Sequence, residues 1–574
     1  MKNRNKYHAQ SQKQAYLFLA PSMLILTVFV FIPLIGALVI SVMNIDIYMN
    51  NISFAGFGNY LKMFHDSRIG NATFNSFYFA LAEVPLQVFM ALLMLMLMIK
   101  NNRFHKFLRT VFYLPYVCSM TAISIMWSML LNTNYGMLPY LFKQIGVDFP
   151  NVLTSTTWAM PVVILITVWK NFGYTLTLLS AAALGVSNSL YEAAEMDGAT
   201  GFQKFIYVTI PGIKQTINFC IVTTLITALQ VFDQVYVMTK GGPLYKTETL
   251  VSYIYNQGFQ VAPYDLGYAS SIAVYLFLMV AIITFVLRRF VLNRGDRRMK
   301  IKKIKVNEIV GTAVTVLIAV LILFPLIWLL VSSFKSDADV IKWPPIFFPT
   351  QWLTAQYKYV VDAIPILSML KNTVVFSVGV TVVSLFFDSM AAYAFSRMHF
   401  QGKNLIFGII LLTMMVPFQI IMIPLYIEEY KFKILDTYLG LILPRASSAY
   451  GIFMLTSFFE NIPKSLDEAA RIDGMKEKQI YSRIILPLAK PAFITLGIYH
   501  FMNNWNDLIY PMMLTSSVEK RTLSAGLAIL VGSNSIKYGP TLAATVISIA
   551  PLMILFLFCQ RFFMEGIATS GMKE

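Results

Sequence analysis

Ionisable side chains inside otherwise apolar segments are the first residues of this sequence that could do chemistry. There are six such residues: Glu83, Lys170, Asp233, Asp388, Arg445 and Asp507. A charge in an apolar membrane segment is costly, so it is kept either for function or for a buried pair that fixes helix packing. Both interpretations stay open for Glu83 and Asp388, and Asp388 has no charged neighbour close to it in the sequence.

Two clusters of amide, carboxylate and aromatic side chains surround two of these charges. The first cluster is Gln230, Asp233, Gln234 and Tyr236, and the second is Asn503, Asn504, Trp505, Asn506, Asp507 and Tyr510. Amides and carboxylates hydrogen-bond hydroxyl groups, and aromatic faces pack against C–H groups. This chemistry suits a sugar better than an inorganic ion, although the same side chains also hydrogen-bond between membrane helices.

Patterns typical of enzymes and metal sites are missing from the sequence. Its five histidines form no nucleophile–base or metal-ligand spacing. Cys118, Cys220 and Cys559 lie in apolar segments and are too few for a disulfide framework. The sequence also lacks the G-x-x-x-x-G-K-[ST] loop that cradles nucleotide phosphates. We therefore predict a protein that is not an enzyme, binds no metal or cofactor and does not itself hydrolyse ATP.

The composition is that of a membrane protein. Of 574 residues, 57% are hydrophobic and 13% are charged, whereas a soluble domain has about 25% charged residues. The net charge of +17 is carried by basic residues scattered in short loops, without a recognisable nucleic-acid-binding module. Such residues accumulate in cytoplasmic loops of membrane proteins, and nucleic acid is therefore not predicted as a partner.

Twelve segments are long and apolar enough to cross a bilayer as helices of about 20 residues. The first six are Tyr16–Val42, Phe74–Ile99, Phe107–Leu131, Trp158–Leu184, Thr216–Met238 and Tyr268–Leu292. The other six are Ile309–Phe334, Met369–Met398, Leu405–Ile427, Tyr438–Phe459, Ala492–Leu514 and Leu542–Phe563. The sequence therefore predicts an all-α polytopic membrane protein.

Basic stretches set the expected orientation of these segments. They are Met1–Gln14, Lys100–Arg109 and Arg288–Lys305, and counting helices places all three on one side of the membrane. Because lysine and arginine favour cytoplasmic loops, we expect both chain termini in the cytoplasm. The loops of mixed charge, such as Asn44–Thr73 and Lys335–Ser368, then lie outside.

A polar stretch occurs twice and indicates a duplicated chain. Ser189–Pro211 and Ser465–Pro487 share a serine, Glu-Ala-Ala three residues later, an Asp-Gly pair and a terminal proline at identical spacing. Self-similarity at so large an offset indicates duplicated domains and not a short repeat. We place the domains at residues 1–298 and 299–574, with six helices each. The sequence leaves open whether the junction near Met299 is natural or joins two separate polypeptides.

Each copy predicts a helix–turn–helix bracket at the cytoplasmic surface. Ser189 with Glu192, and Ser465 with Glu468, have the spacing of a capping box at a helix start. A glycine stands where each short helix must end, Gly198 in the first copy and Gly474 in the second. Glycine suits this position because it readily adopts the left-handed conformation that ends a helix. A single copy would be read as a connecting loop, whereas two matched copies indicate a docking element.

The paired stretch resembles the EAA loop of binding-protein-dependent ABC importer permeases, and the resemblance covers essentially the whole chain. Val231–Pro243 is similar to the first permease of the carbohydrate-uptake group that includes the maltose transporter. Asn504–Leu514 and Gln560–Lys573 are similar to the second permease of that group. The resemblance implies a type I importer fold of two homologous six-helix halves joined in one chain.

The resemblance implies that the two loops are coupling helices docking on a separate ATPase. Carried over by motif position, the docking residues are Glu192, Ala193, Ala194, Asp197, Gly198, Glu468, Ala469, Ala470, Asp473 and Gly474. The implied partners are two copies of a cytoplasmic ATPase that uses ATP and Mg²⁺, an extracytoplasmic solute-binding protein, and a carbohydrate. Met475 departs from the motif, because the first half has Ala199 there, and this departure predicts some asymmetry in docking.

One alternative function is compatible with twelve helices. An ion-coupled secondary transporter also commonly has six plus six membrane spans. Such a transporter would not need two matched cytoplasmic docking loops, so the sequence favours the ATP-driven importer. In either case the protein would reside in the cell membrane and cross it many times.

Overall fold

The structure is a computed structural model, and it describes residues 2–49, 52–98, 102–292, 308–532 and 537–571. The described part is built of helices, with one small antiparallel pair of strands, β1 (Met43–Asn44) and β2 (Ser53–Phe54). The expected domain junction near Met299 lies outside the described residues, and the division at that point stays a prediction. The prediction of an all-α polytopic protein is confirmed.

The helices are numbered in chain order. Before the junction they are α1 (Lys2–Leu26), α2 (Ile32–Ile40), α3 (Gly58–His65), α4 (Ser67–Leu97), α5 (Arg103–Val117), α6 (Met120–Leu130), α7 (Met137–Gln144), α8 (Ala159–Leu184), α9 (Asn188–Met196), α10 (Gly201–Lys204), α11 (Ile210–Gly212), α12 (Lys214–Leu229), α13 (Asp233–Met238), α14 (Leu250–Tyr255) and α15 (Leu266–Leu292). After it they are α16 (Glu308–Ser332), α17 (Asp337–Val340), α18 (Ala355–Ala363), α19 (Ile366–Arg397), α20 (Lys403–Thr413), α21 (Phe418–Phe432), α22 (Tyr438–Ile442), α23 (Ala449–Glu460), α24 (Lys464–Ile472), α25 (Glu477–Ile480), α26 (Leu486–Leu488), α27 (Lys490–Asn506), α28 (Ile509–Leu514), α29 (Leu523–Gly532) and α30 (Tyr538–Gly571). Short π-helical segments cover Thr27–Phe31, Phe205–Thr209, Asn256–Gln260 and Tyr481–Ile485, and a 3-10 turn covers Leu443–Arg445.

Seven described helices are long and apolar enough to span a membrane. They are Gln12–Ile40, Ser67–Leu97, Ala159–Leu184, Leu266–Leu287, Val310–Ser332, Ile366–Arg397 and Tyr538–Gln560. Five pairs of shorter helices add candidate spans, each bent by more than 40° at a break. If each bent pair is one span, the described residues contain up to twelve spans, which is the number predicted.

Bends break the third, ninth and tenth segments that the hydropathy pattern predicts as single helices, and two further bends lie just before the fifth and eleventh segments. The bends are 93° between α5 and α6, 70° between α11 and α12, 95° between α20 and α21, 46° between α22 and α23, and 78° between α26 and α27. The first and third of these lie close to Pro115 and Pro417. Proline has no N–H for the helix ladder, so it favours a break that an average over apolar residues does not register.

The chain folds into two compact units, and each unit draws on both parts of the sequence. Unit 1 contains Met1–Tyr60, Gln257–Phe277 and Ser368–Thr522. Within it, α1 packs on helices from the second part of the chain: the Phe18 ring lies 5.2 Å from Tyr393 and 5.4 Å from Tyr481, centroid to centroid. The first span therefore completes the core of unit 1.

Unit 2 is built mainly from the first part of the chain and is completed by helices from the second part. It contains Leu61–Asn256, Leu278–Leu367 and Leu523–Glu574. Helices α16 and α30, which come from the second part of the chain, bury apolar side chains such as Leu329 and Leu542 in one of its cores. A division of the sequence into two halves therefore does not coincide with the compact units.

One long helix in each unit, α4 in unit 2 and α19 in unit 1, runs from one end of the unit towards the other. In unit 2, α4 packs in parallel on α8, because Glu83 lies near Asn171 and Gln87 donates to Thr175 Oγ1 at 2.8 Å. The C-terminal end of α4 shares an apolar core with Phe205 and Ile213, which follow α9. In unit 1, α19 has the corresponding length of 32 residues. These helices place the polar repeats at one end of each unit.

Candidate functional site

The first polar repeat forms a short exposed helix, α9, that ends at Gly198. Gly198 has φ +71°, and its N–H donates to Glu195 O at 2.9 Å. The next N–H, of Ala199, donates to Ala194 O at 2.9 Å. These two bonds form a Schellman motif, which satisfies carbonyls at the helix end and requires a left-handed residue.

The second polar repeat ends in the same way. Gly474 has φ +81°, and its N–H donates to Arg471 O at 3.1 Å, while Met475 N donates to Ala470 O at 2.9 Å. The prediction that glycine stops both short helices is therefore confirmed. We call α9 and α24 the two bracket helices from here on.

The predicted capping boxes at the starts of the bracket helices are wrong. Helix α9 begins at Asn188 and α24 at Lys464, so each serine is already the second helical residue and cannot act as the N-cap. Instead Ser189 Oγ shares a hydrogen bond of 2.7 Å with Ser187 Oγ. The first repeat has its capping box one helix later, where Thr200 and Gln203 cap each other at the start of α10.

The residues predicted to dock on a partner are mostly exposed. The exposed ones are Glu192, Ala193, Asp197, Gly198, Glu468, Ala469, Asp473 and Gly474, whereas Ala194 is half-buried and Ala470 is buried. Two apolar side chains at matched positions add to this face. Met196 is 89% exposed and Ile472 is 86% exposed, and neither lies in an apolar segment. Leu190 and Leu466, also at matched positions, are 54% and 41% exposed, so each bracket helix presents alanines, acids and two large apolar side chains to its surroundings.

The second bracket helix is anchored by a buried ion pair that the sequence reasoning missed. Arg397, at the end of α19, lies 3.3 Å from the Asp467 carboxylate, and both side chains are at most 3% exposed. Arg397 also donates to Phe459 O and Ile462 O at 2.6 and 2.7 Å. A difference between the two repeats could have indicated this ion pair: Asp467 occupies the position at which the first copy has Tyr191.

A second link joins the same bracket helix to α19. Tyr393 donates to Glu477 Oε2 at 2.5 Å, and Glu477 pairs with Arg471 of α24 at 2.9 Å. Burial raises the pKa of Asp467, whereas the neighbouring Arg397 lowers it. The helix is thus held to the end of α19 by ionic and hydrogen-bonded contacts.

The first bracket helix is attached more loosely. All residues of α9 are described, and none of their side chains is buried. Tyr191 shares a 2.9 Å hydrogen bond with Thr209, and the exposed Glu195 pairs with Lys204 at 2.9 Å. Exposed ion pairs contribute little to stability, so the two brackets differ in how firmly they are held. Met475 adds a smaller difference, because it is partly packed against the core of unit 1.

In unit 1 the polar residues of the eleventh predicted span gather around Arg445. Its guanidinium lies 2.5 Å from Asp507 Oδ2, donates to Asn504 Oδ1 at 2.9 Å, and stacks 4.0 Å from the centroid of the Tyr510 ring. The Tyr510 hydroxyl donates to Gly440 O at 2.9 Å. Asn504, Trp505 and Tyr510 are buried, Asn506 and Asp507 are half-buried, and Asn503 is exposed.

This cluster lies where α27 ends at Asn506 and α28 begins at Ile509. Irregular backbone at membrane depth needs polar partners, and Asp507 supplies one by accepting from Tyr510 N at 3.1 Å. Asn504, Trp505 and Tyr510 are therefore part of the helix packing, whereas Asn503 is exposed and Asp507 is partly accessible beside Arg445.

Asp388 also has a structural environment. Its carboxylate is fully buried and accepts from Ser447 Oγ at 2.7 Å, from Ser448 N at 2.9 Å and from Ser448 Oγ at 3.0 Å. Ser448 in turn caps α23 by accepting from Gly451 N at 2.9 Å. Of the two open interpretations for Asp388, the contacts favour the fixing of helix packing.

In unit 2 the first polar cluster lies at the corresponding break, between the end of α12 and the start of α13. Gln234 is buried and donates to Thr167 Oγ1 at 3.1 Å, and the Tyr236 ring stacks on Phe232 at 5.1 Å. Gln230, Asp233 and Tyr236 are half-buried. Asp233 interacts electrostatically with Lys170, whose Nζ donates to Tyr116 O at 3.2 Å.

Glu83 is the remaining predicted charge in unit 2. It is 2% exposed, and Asn171 Nδ2 donates to its carboxylate at 3.5 Å, the long limit for such a bond.

Among the residues that the structure describes, no three histidine, cysteine, aspartate or glutamate side chains are placed to hold a metal ion.

Helices that span a membrane, two matched bracket helices and polar breaks in two spans define a transport permease duplicated within one chain. The chain matches the family of binding-protein-dependent transport system inner membrane components over residues 54–300 and 384–568. It belongs to this family, and it is accordingly a multi-pass inner-membrane transport component and not an enzyme.

Individual relatives correspond to one half of the chain. The arabinooligosaccharides transport system permease protein AraQ of Halalkalibacterium halodurans is 34% identical over 259 residues, which are 45% of this chain and 93% of the relative. The lactose transport system permease protein LacF of Rhizobium radiobacter is 33% identical over 277 residues, 47% of this chain and 91% of the relative. The prediction of two permeases joined in one chain is confirmed, and the match does not support an ion-coupled transporter.

A solved structure also resembles the chain. A bacterial ABC transporter involved in the import of the acidic polysaccharide alginate is 28% identical, with a TM-score of 0.40. The match covers 44% of this chain and 95% of that one.

Proposed function

We propose that the chain forms the whole translocation pathway of an ATP-driven carbohydrate importer. The observation that carries this proposal is the pair of bracket helices, which end in the same Schellman motif and expose Met196 and Ile472 at matched positions. Exposed apolar side chains at the end of a short, otherwise polar helix favour a protein partner. Helix α9 directly follows the long membrane helix α8, and α24 is held to the end of α19 through Arg397 and Asp467, so a push from the partner would reach the membrane part at both brackets.

The proposed partner is an ATPase present in two copies. The sequence has no phosphate-cradling loop of its own, so ATP and Mg²⁺ would be used by the partner. Binding of that partner to both bracket helices would bias the packing of the membrane helices between two arrangements. The looser attachment of α9 favours a larger rearrangement at the first bracket than at the second.

The proposed orientation places the bracket helices and both termini in the cytoplasm. It is supported by the basic stretches near the first apolar segment and after α15. A solute-binding protein would then deliver the carbohydrate from the other side, as the family description implies for the system as a whole.

A carbohydrate is the proposed solute for two reasons. The relatives include permeases for arabinooligosaccharides and for lactose. In addition, Asn503, Asp507, Asp233 and Tyr236 are exposed or half-buried at the helix breaks, so amide, carboxylate and aromatic groups stay available to sugar hydroxyls and C–H faces.

Coupling is tested by replacing Gly198 and Gly474 together with valine. No atom other than the local backbone lies within 4 Å of a Cβ added at either glycine, so the cost is conformational and confined to the bracket ends. We expect the double variant to insert normally but to lose most solute-stimulated ATP hydrolysis, measured after reconstitution with the ATPase and the binding protein.

The matched control is Gly146→Val. Gly146 has φ +78°, is exposed, and ends α7 with the same two hydrogen bonds, to Lys143 O and from Val147 N to Phe142 O. In this variant valine must adopt the same unfavourable left-handed conformation, but in a different loop. The variant should therefore keep full ATP hydrolysis. Normal transport by the double variant at the brackets would show that the coupling assignment is wrong.

The solute pathway is tested with Asp507→Ala. Because Asp507 is half-buried and paired with Arg445, we expect a drop of about tenfold in transport, corresponding to about 1.4 kcal/mol, while the ATPase still copurifies. If the pair acts as a unit, Arg445→Ala combined with Asp507→Ala should lose little more than either single change. Loss of copurification in Asp507→Ala would instead assign the residue to the fold.

A further inference from the structure

The loop between α13 and α14 is tied firmly to the start of α4. We call residues 240–249 the 240s loop. Asn71 and Asn75 both donate to Tyr245 O, at 2.5 and 3.0 Å, and Asn75 also donates to Glu248 O at 3.0 Å. The amide groups of α4 thereby hold the loop backbone at two successive turns of the helix.

A partly buried ion pair closes the base of this loop. Arg68 binds Glu248 through two nitrogens, at 2.6 and 3.1 Å, and the Glu248 side chain is 1% exposed. The guanidinium also lies 4.1 Å from the Tyr245 ring centroid and 4.6 Å from that of Tyr253. A two-bond guanidinium–carboxylate pair fixes orientation as well as position, so the loop is held in one shape.

The tyrosine beneath the loop is locked as well. Tyr253 donates to the Asp66 carboxylate, which also caps α4 by accepting from Arg68 N at 2.9 Å. Burial raises the pKa of Tyr253 well above its usual value, so its hydroxyl stays a hydrogen-bond donor across the physiological range. The base of the loop is therefore a connected set of satisfied polar groups.

The tip of the loop is strained and apolar. Leu244 and Tyr245 have φ +48° and +59°, and Lys240 has φ +50°. Side chains other than glycine rarely adopt this region, and such strain persists only where the surroundings impose it. Leu244 is nevertheless 80% exposed and Tyr245 is 50% exposed. The fold thus holds two large side chains out from unit 2, although this conformation strains the backbone.

The loop lies at the opposite end of α4 from the first bracket. Asn75 contacts the loop, whereas Leu95 belongs to the core shared with Phe205, which follows α9. Twenty residues of helix at 1.5 Å each separate these contacts by about 30 Å, the thickness of the hydrocarbon core of a bilayer. The 240s loop therefore faces the side opposite to the bracket.

We propose that the 240s loop is a preformed docking element for the solute-binding protein, which the proposed function places on that side. The exposed tip combines Leu244 and Tyr245 with two exposed cations, Lys240 and Lys246. Its occupant is accordingly a patch on the binding protein with an apolar centre and an acidic rim. A rigid loop binds with little loss of conformational entropy, which accounts for the strain held in the unbound chain.

A loop in the second part of the chain, residues 515–522, is also held by an asparagine of a long helix, but its tip is not strained. In unit 1, Asn372 of α19 donates to Glu519 O and Arg521 O at 2.7 and 2.9 Å, as Asn75 does in unit 2. No residue from 515 to 522, all of which are described, has a positive φ, and the most exposed large apolar side chain there is Val518 at 42%. Docking through a rigid apolar tip is therefore assigned to the 240s loop.

The test uses the double variant Leu244→Gly, Tyr245→Gly in the full chain, reconstituted in nanodiscs with its ATPase. Glycine relieves the strain at both positions and thereby offsets the loss of the Tyr245 ring from the Arg68 guanidinium, so the melting temperature should change little. We expect the concentration of binding protein that half-saturates ATP hydrolysis to rise about tenfold or more. The maximal rate at saturating binding protein should stay close to that of the unchanged chain, because the brackets are intact.

The control variant is Ile145→Gly, which removes an aliphatic side chain that is 72% exposed in another loop of unit 2. It should leave the half-saturating concentration unchanged. An equal rise in the control, or no rise in the loop variant, would overturn the docking assignment while leaving the importer proposal intact. If the binding protein fails to stimulate even the unchanged chain, the proposed function itself is wrong.

Discussion

Replacing Asp467 with alanine is expected to lower the free energy of unfolding by about 3 kcal/mol or more. The change leaves the buried Arg397 guanidinium without its carboxylate, and a lone buried charge is far more costly than the lost attraction. Because Asp467 belongs to α24, the second bracket helix should also lose its fixed position. The two readouts are the thermal unfolding midpoint in detergent and solute-stimulated ATP hydrolysis.

Two further variants separate stability from coupling. Asp473→Ala removes an exposed carboxylate just after the same helix and should change the unfolding midpoint little. Arg397→Met combined with Asp467→Leu replaces the pair by apolar groups and should recover part of the stability, because the hydrogen bonds from Arg397 to Phe459 O and Ile462 O are lost. If that double variant also recovers full ATP hydrolysis, the ion pair only stabilises the fold. An unfolding midpoint unchanged in Asp467→Ala would contradict the buried-pair interpretation altogether.

Replacing Asp388 with alanine should be comparably damaging. The change leaves the Ser447 and Ser448 hydroxyls and the Ser448 N–H without their buried acceptor, and hydrogen bonds to a charged group contribute about 1.5–3 kcal/mol each. We expect a loss of about 4.5 kcal/mol or more and fraying of α23, measured by thermal unfolding. Thr381→Ala, which removes only a hydrogen bond within α19, is the control and should cost little.

Gly451 provides an independent check on the Asp388 site. A Cβ added at Gly451 would lie 2.0 Å from Asp388 Oδ2, so Gly451→Ala must displace a carboxylate held by three hydrogen bonds. The shortest contact disappears when Asp388 is absent, which leaves Ser448 Oγ, at 2.9 Å from the added Cβ, as the nearest atom. The double variant should therefore lose clearly less stability than the sum of the two single changes. Additive losses would mean that the two residues do not share a site.

The two brackets are alike in sequence pattern and different in attachment. Motif comparison draws attention to Met475, yet the larger difference is between Tyr191 and Asp467, which occupy the same position of the repeat. Only the second of these reaches a buried cation at the end of a long membrane helix. Asymmetric coupling is therefore expected to arise from the anchoring of the brackets more than from their docking faces.

Several properties of this protein follow from the sequence by itself. Apolar segments of sufficient length require membrane helices, because the bilayer leaves the backbone no other partner for hydrogen bonds. The matched repeat predicts two brackets, and the left-handed residues at Gly198 and Gly474 follow from the unique freedom of glycine. These are local properties, decided by the composition of one segment or the conformation of one residue.

The tertiary structure decided which polar groups meet. It placed Arg397 against Asp467, Arg445 against Asp507, and Arg68 against Glu248, pairs separated by 62 to 180 residues in the chain. It also divided the chain into two units that each mix both parts of the sequence. Such pairings depend on how whole helices pack, and hydropathy or spacing within one segment contains no information about the helix on the other side of the contact.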